Sequence, residues 1–132
     1  VIEHFREPGA VLARAAALLP AGGVLAFSTP NGRGVSALSS RRLFLERSPF
    51  DHLTVFSPRG LARILARHGL RLARVRITGH HPERFPGVLG RVAAAGGTGR
   101  RLVLGLSRLL RLGDTFEAYA VKQGPWRQLE RG

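Results

Sequence analysis

The sequence predicts an α/β fold, and three of its features carry that prediction. A helical stretch at residues 8–19 is stopped by Pro20-Ala21-Gly22-Gly23 and followed at once by the apolar run Val24-Leu25-Ala26-Phe27. A second helix and strand follow between Ser57 and Thr78, and an alternating segment at residues 114–122 closes the order. A helix that passes through a tight glycine turn into a buried strand is one crossover of an α/β sheet.

Taken in order, Val1 and Ile2 read as the last residues of a buried strand running into a loop at Glu3-His4. In residues 8–19 Pro8 suits a first helical turn, and Val11, Leu12, Ala15, Ala16, Leu18 and Leu19 recur near a helical period. Residues 23–29 are apolar on both faces, the pattern of a strand covered by helices on both sides, and Pro30-Asn31-Gly32 ends it. Residues 31–52 predict a mobile loop over the strand ends, with a short helix from about Ser40 to Glu46. Ser57-Pro58 is a helix start, Gly69 a stop, and Leu61, Ala62, Ile64 and Leu65 form the buried stripe between them. Ala73, Val75 and Ile77 then alternate with Arg74, Arg76 and Thr78, as in a strand with one wet face near a sheet edge. Residues 80–113 interrupt the pattern with two short helices separated by Gly96-Gly97-Thr98-Gly99. The second, about Gly99 to Leu112, sets Leu102, Val103, Leu106, Leu109 and Leu110 against Arg100, Arg101, Arg108 and Arg111. Gln123 onward is a polar tail.

Composition narrows the chemistry. The chain has 132 residues and no cysteine, which removes a disulfide framework, a thiolate zinc site, an iron–sulfur ligand set and a cysteine nucleophile. The formal net charge is +13, and 20 of the 21 basic residues are Arg. These arginines run from Arg6 to Arg131 with no stretch longer than two, whereas a nucleic-acid footprint clusters on one face. A solvated surface from GC-rich codons accounts for them better than a nucleic-acid partner. No apolar run approaches the ~20 residues of a membrane-spanning helix, and no secretory leader is visible, so a cytoplasmic location is the default. The absence of Met, and a start inside what reads as a strand end, point to a fragment.

Glu3-His4, Glu7-Pro8, Leu19-Pro20-Ala21-Gly22-Gly23-Val24-Leu25, Ser28-Thr29-Pro30-Asn31, His52 before Val55-Phe56-Ser57, and His68-Gly69-Leu70 together resemble the C-terminal half of a class I S-adenosylmethionine-dependent methyltransferase. The pattern is similar to that of the ubiquinone-pathway O-methyltransferases and related small-molecule methyltransferases. The resemblance implies an incomplete Rossmann-like α/β fold that runs from the end of the fourth strand through the seventh, the seventh lying antiparallel between the fifth and sixth. Residues 1–122 would be the partial methyltransferase domain, 80–113 a helical insertion or lid before the last strand, and 123–132 the tail. The first three strands would be missing, and with them the glycine-rich turn and the ribose-binding acid that hold S-adenosylmethionine. Gly96-Gly97-Thr98-Gly99 does not replace them, because the residues before it read as helix rather than strand.

The surviving part would be the substrate side, since ligands of open α/β sheets lie beyond the carboxyl ends of the strands. Glu3 and His4 are the candidate catalytic residues, with His4 as base for the acceptor proton or both helping to hold a metal or an acceptor hydroxyl; capping of the loop and next helix is the competing role. Asn31 and His52 are the candidate substrate contacts, although Pro30-Asn31-Gly32 is also a turn in its own right. No metal site is assigned, and adjacent His80-His81 suit none. His68 fits a helix C-terminus. Expected partners are a small-molecule methyl acceptor and, through the Leu/Arg helix of the insertion, a peripheral contact with an anionic membrane. The fragment alone is expected to be inactive and, with an uncovered sheet edge, to aggregate or dimerise. The rival reading is a non-catalytic Arg-rich interaction module that binds nucleic acid or anionic lipid, recognisable by strongly salt-dependent binding.

Overall fold

The computed structural model describes residues 1–124; residues 125–132 of the polar tail lie outside the described residues. Three strands form one sheet: β1 (Val24–Pro30), β2 (Leu70–Thr78) and β3 (Thr115–Lys122), in the order β1-β3-β2. β3 runs antiparallel to both neighbours, pairing Val24 with Val121 on one side and Leu70 with Lys122 on the other. The last strand therefore sits between the two earlier ones, and β1 and β2, parallel to each other, end at the same side of the sheet.

Helices α1 (Pro8–Leu18) and α4 (Pro58–Arg67) cover one face of the sheet. Leu12 and Ala16 of α1 and Leu61 and Leu65 of α4 pack with Leu70, Phe116, Ala118 and Ala120 into a single apolar core. The start of α4 follows from its sequence: the Ser57 hydroxyl accepts from the Gly60 amide at 3.1 Å and Pro58 stands in the first turn, where no amide donor is needed. Its end follows too, since Gly69 adopts φ +68, open to glycine at little cost.

Several expectations are corrected. Ile2–His4 is a short 3-10 turn rather than a strand end, although Ile2 is buried as expected. β1 is covered on one face only: Leu25 and Phe27 pack on the core, whereas Val24 is 56% exposed and Ala26 and Ser28 face outward. Among the described residues no helix lies on that second face, which also carries Arg74, Arg76, Glu117 and Tyr119. Residues 31–52 hold two short helices, α2 (Val35–Ser39) and α3 (Arg41–Arg47), where one was expected. Ser40 lies between them, its hydroxyl accepting from the Leu43 amide at 3.3 Å. In β2 the alternation slips at Ala73, which has no partner opposite and is exposed; Leu70 and Leu72 before this bulge, and Val75 and Ile77 after it, face the core.

The insertion contains α5 (Gly87–Ala94) and α6 (Gly97–Leu109). Here the periodicity was sound, but only part of the expected apolar side, Val103 and to a lesser extent Leu106, turns inward. Val103 and Ser107 are buried, while Leu102, Leu109 and Leu110 are exposed. Small residues explain this, because α6 lies so close to α5 that a Cβ on Gly99 would meet the Val92 backbone oxygen at 3.0 Å. No helix is long and apolar enough to cross a membrane among the described residues.

Candidate functional site

A cleft of about 590 Å³ opens beyond the carboxyl end of β1. Its floor is Pro30, Asp114 and Thr115; α3 contributes Leu43, Phe44 and Arg47 to one wall, His52 another, and the turn after β2 adds His81, Glu83 and Arg84.

The segment that carries His52 is anchored by the backbone of the first turn. The Glu3 carbonyl accepts from the amides of Leu53 at 2.8 Å and Thr54 at 3.2 Å. This brings His52 against His4, with ring centroids 4.8 Å apart and planes at 75°. The Nδ1 of His4 lies 3.0 Å from an Asp51 carboxylate oxygen, and its Nε2 lies 3.6 Å from Glu3 Oε1. His4 thus stands between two carboxylates and behind His52, which is the ring that lines the cleft.

Glu3 is buried, and its Oε2 accepts from the Thr29 hydroxyl at 3.0 Å. Glu3, His4 and His52 each offer a ligand atom within 4.8 Å of the others. A tetrahedral ion bound at ~2.1 Å sets its ligand atoms about 3.4 Å apart, so side chains would have to rotate inward to chelate.

Asn31 is placed differently. It is 1% exposed, its side-chain amide donates to the Gly113 carbonyl at 2.8 Å, and its side-chain oxygen accepts from the Arg33 amide at 3.0 Å. It ties the end of β1 to the start of β3 and does not line the cleft. His68, at the end of α4, is remote from it.

Asp114 is the polar centre that local sequence does not announce. One carboxylate oxygen accepts from the Ser36 amide at 2.8 Å; the other accepts from the Ser36 hydroxyl at 2.6 Å and from Arg84 at 2.9 Å. A carboxylate at the first turn of α2 suits the unpaired amides there. Glu83 is bound by Arg100 at 3.1 Å, so Arg47 is the cleft-lining arginine with no carboxylate partner among the described residues.

Comparison with known proteins follows this geometry. No curated protein matches. A chain of the solved complex between the Haloferax volcanii Trm112 methyltransferase activator and a proposed methyltransferase is similar in fold, with a TM-score of 0.57 and 17% sequence identity. The match covers 94% of this chain and 51% of that one, so this chain spans about half the length of that relative. A methyltransferase domain family model matches residues 1–75, more than half of the chain. The chain belongs to the methyltransferase domain family.

Proposed function

We propose that the chain forms the acceptor side of an S-adenosylmethionine-dependent methyltransferase of class I type, covering the turn that would follow the fourth strand and the fifth through seventh strands. The reaction is methyl transfer to an oxygen, or in second place a nitrogen, of a small molecule. The observation that carries the reading is the position of His52: it faces a cleft at the carboxyl end of β1, with His4 and Asp51 ordered behind it.

The cleft suits a small acceptor, with Leu43 and Phe44 for its apolar part and polar groups opposite. An acceptor hydroxyl placed against His52 would have the imidazole within reach as the base for its proton. Asp51 fixes the tautomer and tilt of His4, and the His4 ring limits rotation of His52. His52 is therefore the proposed base, and His4, Asp51 and Glu3 position it; the role expected of His4 moves one ring outward.

The described residues do not fit the cofactor. Gly96 and Gly97 have φ +83 and +57, but they join α5 to α6 instead of leading a strand into a helix, so they do not form a nucleotide cradle. No step is assigned to a cofactor site in this chain. A methyl sulfonium bound by the other half of a complete domain would supply the electrophile.

The test has two arms. S-adenosylmethionine titrated into the 132-residue chain should give no saturable heat. In the complete protein, His52→Gln should lower kcat by roughly 10²–10⁴-fold and remove the acidic limb of the pH–rate profile. Saturable binding by this chain, or an unchanged profile in the variant, would overturn the respective part.

A further inference from the structure

A second concavity lies away from the acceptor cleft, along the outer edge of β2. It measures about 460 Å³ and is lined by Val75, Ile77, His80, Arg76, Arg108 and Arg111. Nothing in the proposed transfer reaction uses it.

Three arginines, Arg76, Arg108 and Arg111, line it, and their charges are poorly balanced. Arg76 has Glu117 at 3.5 Å, but Arg108 and Arg111 have no carboxylate within 4.0 Å among the described residues. Arg111 is also the only described non-glycine residue with positive φ, at 58°, and its guanidinium lies 3.5 Å from the Val75 carbonyl oxygen. That contact orients the strand edge. The amide and carbonyl of a strand residue point to the same edge, so the Val75 N–H faces the groove, as does that of Ile77 two residues on. β2 is the last strand on this side, which leaves these donors without a strand partner.

His80 forms the end wall, its Nδ1 2.8 Å from the buried Ser107 hydroxyl. Besides burial, the groups that act on it are the Arg108 guanidinium, the Ile77 backbone, the Asp114 carboxylate and the neighbouring His81. Arginines with a planar fork, backbone amides and an imidazole are the donor set for a compact oxyanion with several acceptor oxygens, which a single carboxylate fills less completely.

We propose that this groove between the β2 edge and α6 is a binding site for a phosphate group, held by Arg108 and Arg111 with Arg76 and the exposed strand amides. The phosphate is that of a soluble ester or of a lipid headgroup. For a headgroup, Leu109 and Leu110, which stand between the two arginines in sequence and are 80% and 53% exposed, would lie on the apolar side of the contact.

The experiment is an NMR titration of the His80 ring in the 132-residue chain, with His80→Gln to assign its resonances. Inorganic phosphate should shift the ring and raise its apparent pKa saturably, whereas chloride at equal ionic strength should not. Arg108→Gln/Arg111→Gln, checked for an unchanged circular dichroism spectrum, should weaken the phosphate response at least ten-fold. An equal response to chloride, or a double variant that titrates like the parent, would overturn the site. Vesicles containing phosphatidylglycerol and soluble glycerol phosphate then identify the carrier: displacement of phosphate by the vesicles alone assigns a headgroup, and displacement by glycerol phosphate alone assigns a soluble ester. Failure of both to displace it would overturn the assignment to a phosphate ester.

Discussion

The imidazole of His52 meets that of His4 edge to face, with centroids 4.8 Å apart, although 47 residues separate them in the chain. The contact is supported by the Glu3 carbonyl, which takes the amides of Leu53 and Thr54 and so pins the loop by its backbone just after His52. His4→Phe keeps a ring beside His52 but removes the Asp51 contact. In the complete protein it should lower kcat by about ten-fold, less than His52→Gln, with KM for the acceptor nearly unchanged. Steady-state kinetics on both variants tests the order, and a larger loss from His4→Phe would return the base to His4.

Asp114 anchors α2 and Arg84 at once. Asp114→Ala removes three hydrogen bonds to a carboxylate that is nearly buried, and should cost about 2–3 kcal/mol in urea unfolding. Gly34→Ala should be comparably harmful, because its Cβ would stand 2.5 Å from an Asp114 carboxylate oxygen and 2.8 Å from the Gly113 carbonyl. A change below about 0.5 kcal/mol in both would show that the α2 anchor is dispensable.

Acid should weaken the fold through His80. Burial, and then the Arg108 charge, hold its pKa below the ordinary histidine value, so near pH 6 the unfolded chain binds more protons than the folded one. The contribution is complete above the unfolded value of about 6.5 and is lost as the pH falls through that value towards the lower folded one. Unfolding midpoints measured from pH 8 to pH 5 should fall less steeply in His80→Gln than in the parent, and identical slopes would refute this account.

Association is the fourth expectation. Among the described residues the outer edge of β1 has no strand partner, and Val24 at its start is 56% exposed. Open edges beside apolar surface pair with other chains. Sedimentation velocity should show a concentration-dependent increase in size that Val24→Lys reduces, while a concentration-independent, cooperatively unfolding monomer would exclude it.

What was legible in the sequence was local. Ser57-Pro58 and Gly69 delimit α4 by chemistry that acts over three or four residues. What was not legible depended on distant partners. Nothing near Asp114 announces that Ser36, 78 residues earlier, supplies its donors. The slip at Ala73 is settled only against β3, where Leu72 pairs with Ala120 and Arg74 with Tyr119 and Ala73 is left over. The α6 pattern identified an apolar side but not which of its residues meet protein, a choice made by the close approach permitted at Gly99 and by the Ser107 contact with His80.

The central position of β3 has a consequence for how the chain is made. β1 and β2 do not touch each other through strand pairing; each pairs only with residues 115–122, near the C-terminal end of the described chain. During synthesis neither of these two ladders can close until that segment has emerged, so β1 and β2 both wait for β3. Long-range pairing of this kind folds slowly and leaves strand edges exposed meanwhile. A ribosome-stalled chain that ends before Thr115 should therefore be cut freely by protease within residues 24–30 and 70–78, and extension past Lys122 should bring protection to both stretches together.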